Sequence, residues 1–346
     1  MTAKPLTAFI VRVSRQLGAV QVAIIWTLNF VLLAEPSRAE QLRLFTLGSG
    51  EVAGSYYTTA RAICDAVNRA ERGDLRCSPD PTSGSIYNLK ALRDGQIDFA
   101  LVQSDWHRKA FKGTGLFARS GPLRSLRSVM SLNPEAITIL ARGDATIIQP
   151  RDLPGKRVDI GHPASGRRAT NDILLRELGL SLKDFSQVLE LPLGGVVDEI
   201  CAGRLDASIL ILGHPNARVD HALSKCSASL IPVRGPGFDR LLLGGADYVH
   251  NVIPGAAYQG LINDVPTYAV ISTLVTLAST DPAIVKTLVT RTLEQLPRLM
   301  QSASMLDGLE PKKMQRQGLT APLHPGAQVA FDSFKLNNSQ SRVPLR

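Results

Sequence analysis

The chain has 346 residues, 44% hydrophobic and 20% charged, a globular composition long enough for about two domains at roughly 100–200 residues each. Its formal net charge is +9, yet the basic residues are scattered and aromatics make up only 5%. A nucleic-acid groove needs clustered charge with stacking rings between, so that class of partner is set aside.

Part of the excess charge belongs to the amino end. Residues 1–39 carry Lys4, Arg12, Arg15 and Arg38 against Glu35, a net +3 that leaves +6 for the remainder. Lys4, Arg12 and Arg15 precede an apolar stretch from Ala19 to Ala34, and Ser37-Arg38-Ala39 supplies small residues around a cleavage site. This three-part layout predicts a signal peptide over 1–39 and export to the periplasm. An uncleaved anchor is the alternative, but the apolar run is broken by Gln21 and Asn29 and is shorter than the roughly 20 residues a span requires.

The exported part alternates strands and helices. Leu42–Leu47 reads as a buried strand, followed by the glycine-bearing turn Gly48–Gly54 and a helix over Tyr56–Asn68. Leu75–Ser78 is a short strand that Pro79 and Pro81 are expected to stop. Ser83-Gly84-Ser85 opens a helix ending near Gly95, and Ile97–Val102 is a third strand. Ser128–Leu132, Ala136–Ala141 and Arg157–Gly161 read as strands, with a helix from Ser165-Gly166 to about Leu178. Strands follow at Val188–Leu191, Ala207–Leu212 and Leu230–Val233, with a helix over Val196–Ala202. Ala269–Leu277 is a long apolar run, Asp281-Pro282 starts a helix carried through Met300, and Asn337–Arg346 reads as a frayed tail.

Such alternation implies parallel βαβ units with helices on both faces. Two such sets meet near Asn133-Pro134, with a long late segment after Asp264. The expectation is an α/β fold of two lobes, residues 40–133 plus 268–346 and residues 134–267, whose chain crosses over twice.

Four cysteines, Cys64, Cys77, Cys201 and Cys226, have neither CxxC nor other metal-ligand spacing. In an oxidising compartment two sequence-local disulfides are the simplest solution, though three connectivities are open. The six histidines never fall at H-x-x-x-H spacing, and no G-x-S-x-G elbow or D-x-D cluster occurs. No catalytic site, metal or cofactor is therefore expected.

Three loops carry the binding chemistry. Gly48-Ser49-Gly50…Gly54 hands a strand to a helix, near the dinucleotide spacing but with one residue too many before the last glycine. Thr82-Ser83-Gly84-Ser85 and Pro163-Ala164-Ser165-Gly166 also place hydroxyls and a glycine at helix starts. One such loop is ordinarily just a cap, but three at the carboxyl ends of parallel strands point to a small anionic ligand. Arg168, in the first turn of its helix, either grips a ligand carboxylate or is a solvated surface arginine.

At this point a family resemblance appears. The segments GSGEVAGSYY (48–57), TSGSIYNLKALRDGQIDFALVQSDW (82–106), LRSVMSLNPEAITILAR (126–142), DLPGKRVDIGHPASGRRAT (152–170), GHPNA (213–217) and APLHPGA (321–327) occur in the order seen in TAXI-type solute receptors of tripartite ATP-independent periplasmic (TRAP) transporters. The chain resembles that family over nearly its whole exported length. The resemblance implies a type II periplasmic binding-protein fold, two α/β lobes joined by a double-crossover hinge with a ligand cleft between. It also implies two disulfide bridges, a monomer, a small anionic metabolite of amino-acid or dicarboxylate type as ligand, and TRAP permease membrane subunits as partner. By the same resemblance the ligand touches Gly50, Gly54, Tyr56, Ser83, Gly84, Ser85, Gln103 and Ser131, and from the second lobe Ser165, Gly166, Arg168, Thr170 and His214.

Two departures from the family pattern bear on the ligand. Glu51 stands where a glycine or small residue is usual, and the hydroxyl-glycine run becomes Pro81-Thr82-Ser83-Gly84-Ser85. A carboxylate beside an anionic ligand is repulsive, so either Glu51 faces solvent or the ligand carries a cationic group. Two other uses of the same frame are a sensor that docks on a signalling receptor and an exported enzyme working in the same cleft.

Overall fold

The computed structural model describes residues 42–71, 75–243 and 247–340. The expected signal segment 1–39 and the last residues, 341–346, lie outside the described residues. Among those described, no helix is long and apolar enough to cross a membrane.

The first lobe opens with β1 (Arg43–Gly48), α1 (Ser55–Ala70), β2 (Leu75–Asp80), α2 (Ser85–Arg93), β3 (Phe99–Gln103) and α3 (Ser104–Lys112). Here β1 lies between β2 and β3, parallel to both. The long strand β4 (Leu126–Ala141) then leads into β5 (Arg157–Asp159), α4 (Gly166–Glu177), β6 (Gln187–Leu189), α5 (Leu193–Cys201) and β7 (Ala207–Leu212), with β5 parallel to β6 and β7. Next come α6 (Ala217–Lys225), β8 (Ser229–Ile231), α7 (Pro236–Leu242), β9 (Val249–Ile253) and the second long strand, β10 (Val265–Leu277). The chain closes on the first lobe with α8 (Pro282–Glu294), α9 (Leu296–Ser302), α10 (Pro311–Met314) and α11 (Pro325–Gln340).

The strand order is β2-β1-β3-β10-β4-β7-β5-β6, with β8 on β4 and β9 on β10. The two long strands join the lobes. Antiparallel to each other from Leu277↔Leu126 to Ala269↔Ala136, they give one end to β3 and the other to β7. Their register shifts between Ile271 and Thr273, beside the Ile271↔Pro134 pair. The protein is thus two α/β lobes joined by a double crossover with a cleft between, the architecture expected. Each lobe has its own apolar core on both sheet faces. Phe45, Ile63, Phe99 and Phe331 anchor one such cluster, and Ile139, Val158, Leu174 and Phe238 a counterpart in the second lobe.

Several elements differ from the sequence reading for identifiable reasons. Pro79 does not stop β2, because β2 is the sheet edge and a missing N–H there leaves no ladder bond unmade. Ser128–Leu132 and Ala136–Ala141 are one strand running through Pro134. The helix expected through Met300 breaks at Gln295 between α8 and α9, where Pro297 lies in the first turn of the new helix. Asn337–Gln340, expected to fray, continues α11. The disulfides are Cys64–Cys77 and Cys201–Cys226, with Cα–Cα separations of 4.9 and 5.0 Å.

Candidate functional site

Four helix amino ends meet at one cavity between the lobes. The turn after β1 starts α1 at Ser55, the turn after β2 starts α2 at Ser85, and the second lobe contributes the starts of α4 at Gly166 and α5 at Leu193. The cavity measures about 80 Å³, inside about 520 Å³ of atom-free space that reaches solvent. Each helix start presents backbone N–H groups and about half a positive charge, so the cavity attracts an anion without a dedicated cation.

Two buried asparagines fix the loops. Asn88 on α2 donates to the carbonyls of Ser49 (2.7 Å) and Leu101 (2.8 Å) and accepts from Thr82 Oγ1 at 2.7 Å, tying the first two loops to β3. On the other side, Asn171 of α4 donates to Ile160 (3.0 Å) and Ile209 (2.8 Å), pinning the third loop to β7. Ser165 caps α4 by accepting from the Arg168 N–H at 3.0 Å. Gly84 caps α2 at φ +97°, a conformation few other residues adopt, with open space where a Cβ would stand. Gly166 is confined instead. A Cβ there would lie 2.0 Å from Gln103 Oε1 and 2.7 Å from Ser85 Oγ, so glycine alone allows the lobes to approach this closely.

The cavity's charges are mostly committed. Buried Arg167 pairs with fully buried Asp159 at 3.0 Å and donates to the Leu191 carbonyl at 2.7 Å. Burial pulls the guanidinium below its ordinary range and Asp159 opposes that pull. Asp159 also accepts from Gly161 N, Leu191 N and Ser208 Oγ, which leaves it fully satisfied. Glu135, from the crossover strand, is buried and accepts from Ser55 Oγ at 3.2 Å. Burial pushes it up to about 8, so it holds its proton at neutral pH. The Tyr56 hydroxyl lies beside Glu135, Ser85 and Ser272 without closing a hydrogen bond of normal geometry, and burial with Glu135 nearby raises it further. Its oxygen is buried without a hydrogen-bond partner among the described residues.

Of the residues expected around the ligand, Gly50, Gly54, Tyr56, Ser83, Gly84, Ser85, Gln103, Ser165 and Gly166 line this cavity together. The other four lie elsewhere. Arg168 turns away to Asp172 (3.0 Å) and Glu190, and its neighbour Arg167 takes the lining position. Ser131 donates to the Lys313 carbonyl at 3.1 Å. Thr170 accepts from Trp106 Nε1 (2.9 Å) and donates to Asp105 (3.1 Å) behind the cavity. His214 sits between Thr138 and Tyr258, and burial lowers it to about 4, which keeps it neutral. Sequence reasoning missed Ser55, Glu135, Arg167, Leu193 and Ile211 as lining residues. Glu51, expected in solvent or opposite a ligand cation, reaches instead across the cleft to Leu193 N at 2.6 Å.

Among the described residues one group of His, Cys and acidic side chains is spaced for a metal, Cys201, His221 and Cys226. Both of its sulfurs are joined in the disulfide, which removes the thiolates a metal would need.

A model of the NMT1-like family matches residues 47–332, spanning every element that builds the cavity. MatC from Rhodopseudomonas palustris, solved with bound malate, is similar at 15% identity and a TM-score of 0.54, covering 85% of this chain and 97% of its own. A protein of Bordetella bronchiseptica RB50 is similar at 14% identity and a TM-score of 0.54, covering 86% and 99%. At these identities the two structures speak for the fold.

Proposed function

Since the chain belongs to the NMT1-like family, we propose that it is a periplasmic solute receptor that traps a small anionic metabolite between its lobes and delivers it to a membrane transporter. The convergence of four helix amino ends from both lobes on one cavity carries this reading. Malate in the similar structure of MatC supports a ligand of small carboxylate type. In finer detail, the lobes are residues 40–133 plus 268–346 and residues 134–267, and the segments 133–136 and 264–268 act as the hinge. Residues 1–39 are removed as a signal peptide. The closed form is what the membrane subunits of a TRAP transporter recognise, with the chain as their TAXI-type receptor.

Binding stabilises the closed form by its differential affinity for closed over open, and therefore raises the melting temperature. Two measurements on protein freshly prepared from periplasm test this. Native mass spectrometry is expected to find one small retained ligand, and a thermal-shift panel of amino acids and dicarboxylates to find at least one stabiliser. A folded protein that retains nothing and shifts with none of the panel contradicts the proposal.

A further inference from the structure

Glu51 makes a contact that the receptor reading does not need. Its carboxylate accepts from the backbone N–H of Leu193 at 2.6 Å, across the cleft from a residue 142 positions away. Leu193 is the first residue of α5, whose N-cap, Pro192, supplies no side-chain cap. A carboxylate at a helix's first free N–H is the interaction a bound anion would make. Glu51 and Leu193 both line the cavity.

Packing reinforces the contact. A Cβ on Gly54 would touch the Leu193 side chain at 3.3 Å, and one on Gly194 would meet Ala53 Cβ at 3.6 Å. Among the described residues Glu51 has no ion-pair partner. The cation whose field it shares, Arg167, is engaged by Asp159 and the Leu191 carbonyl.

We propose that Glu51 is a built-in carboxylate that occupies the amino end of α5, latches the lobes, and leaves the cavity one anion position short. The latch favours closure before any ligand arrives. It also selects by charge, because a second ligand carboxylate would find the α5 amide taken and the Glu51 charge beside it. The preferred ligand is then a monocarboxylate with a neutral polar end. This selectivity rests on the receptor reading, whereas the latch does not.

The test compares wild type with Glu51→Ala, which removes acceptor and charge, and Glu51→Gln, which keeps an acceptor and removes charge. Small-angle scattering without ligand is expected to show a larger radius of gyration for Glu51→Ala, with Glu51→Gln between it and wild type. Calorimetric titration with succinate and its monoamide, succinamate, is expected to give about tenfold tighter binding of succinamate by wild type. Both variants are expected to lose that preference. Scattering of Glu51→Ala identical to wild type overturns the proposal, as does an undiminished preference in both variants. If neither compound binds any of the three proteins, scattering alone decides the latch, and the receptor reading is what suffers.

Discussion

Arg167 and Asp159 form a buried ion pair with every remaining acceptor position on Asp159 filled. Replacing Arg167 by Leu strands a carboxylate in the interior, and urea unfolding is expected to show a loss of about 3–5 kcal/mol. Glu135 makes a different prediction. Burial pushes it up to about 8 from an ordinary value of 4.5, so the folded chain binds the extra proton and stability falls as pH rises through that window. Asp247, raised to about 6 by burial, and buried Asp105 act in the same direction. Glu135→Gln is expected to remove up to about 1.4 kcal/mol per pH unit of slope between about pH 5.5 and 7; an unchanged slope contradicts the assignment. Neither side chain was legible beforehand. Arg167 and Arg168 are adjacent, and roughly 100° of helix phase decides which one faces the cavity. The burial of Glu135 arises from Ser55 and Tyr56, some 80 positions earlier, where no local pattern points to it.

The glycine-serine loops were legible because their chemistry is local: a strand end, a small flexible turn and a cap. What holds them in place was not. Asn88 sits within a helix, and its bonds reach carbonyls 39 and 13 positions away. Asn88→Ala is expected to leave the Ser49 and Leu101 carbonyls without this partner and to destabilise the fold by about 1–3 kcal/mol, with hydrogen exchange quickening first in the loops after β1 and β2. The Cys64–Cys77 bridge ties α1 to the edge strand β2 inside the first lobe's core. Replacing both cysteines by alanine is expected to cost about 2–4 kcal/mol in urea unfolding. The helix α3 went unread, since only Trp106, Ala110 and Phe111 of its nine residues are apolar and three of its five buried ones, Ser104, Asp105 and His107, are polar. Asp105 accepts from distant partners, Tyr248 and Thr170, whereas His107 Nε2 is buried with no hydrogen-bond partner among the described residues.

The two-lobe plan followed from alternating strands and helices and from the late return of the chain, and both features survive in the sheet order. The continuity of β4 and β10 through the crossover did not follow, because Pro134 reads as a break until its strand neighbours are known. The same crossover brings the two sets of loops face to face, close enough that Gly166 excludes any side chain against Gln103 and Ser85. On the proposed function, closure and binding both need this close approach, and a side chain at that point should weaken both. The most direct measurement is calorimetric titration of wild type and Gly166→Leu with the best stabiliser from the thermal-shift panel, both proteins first checked for folding by circular dichroism. One-to-one binding by wild type, weakened at least about a hundredfold in Gly166→Leu, is the predicted result. Equal affinity in the two proteins would place the ligand outside the cleft and contradict the account.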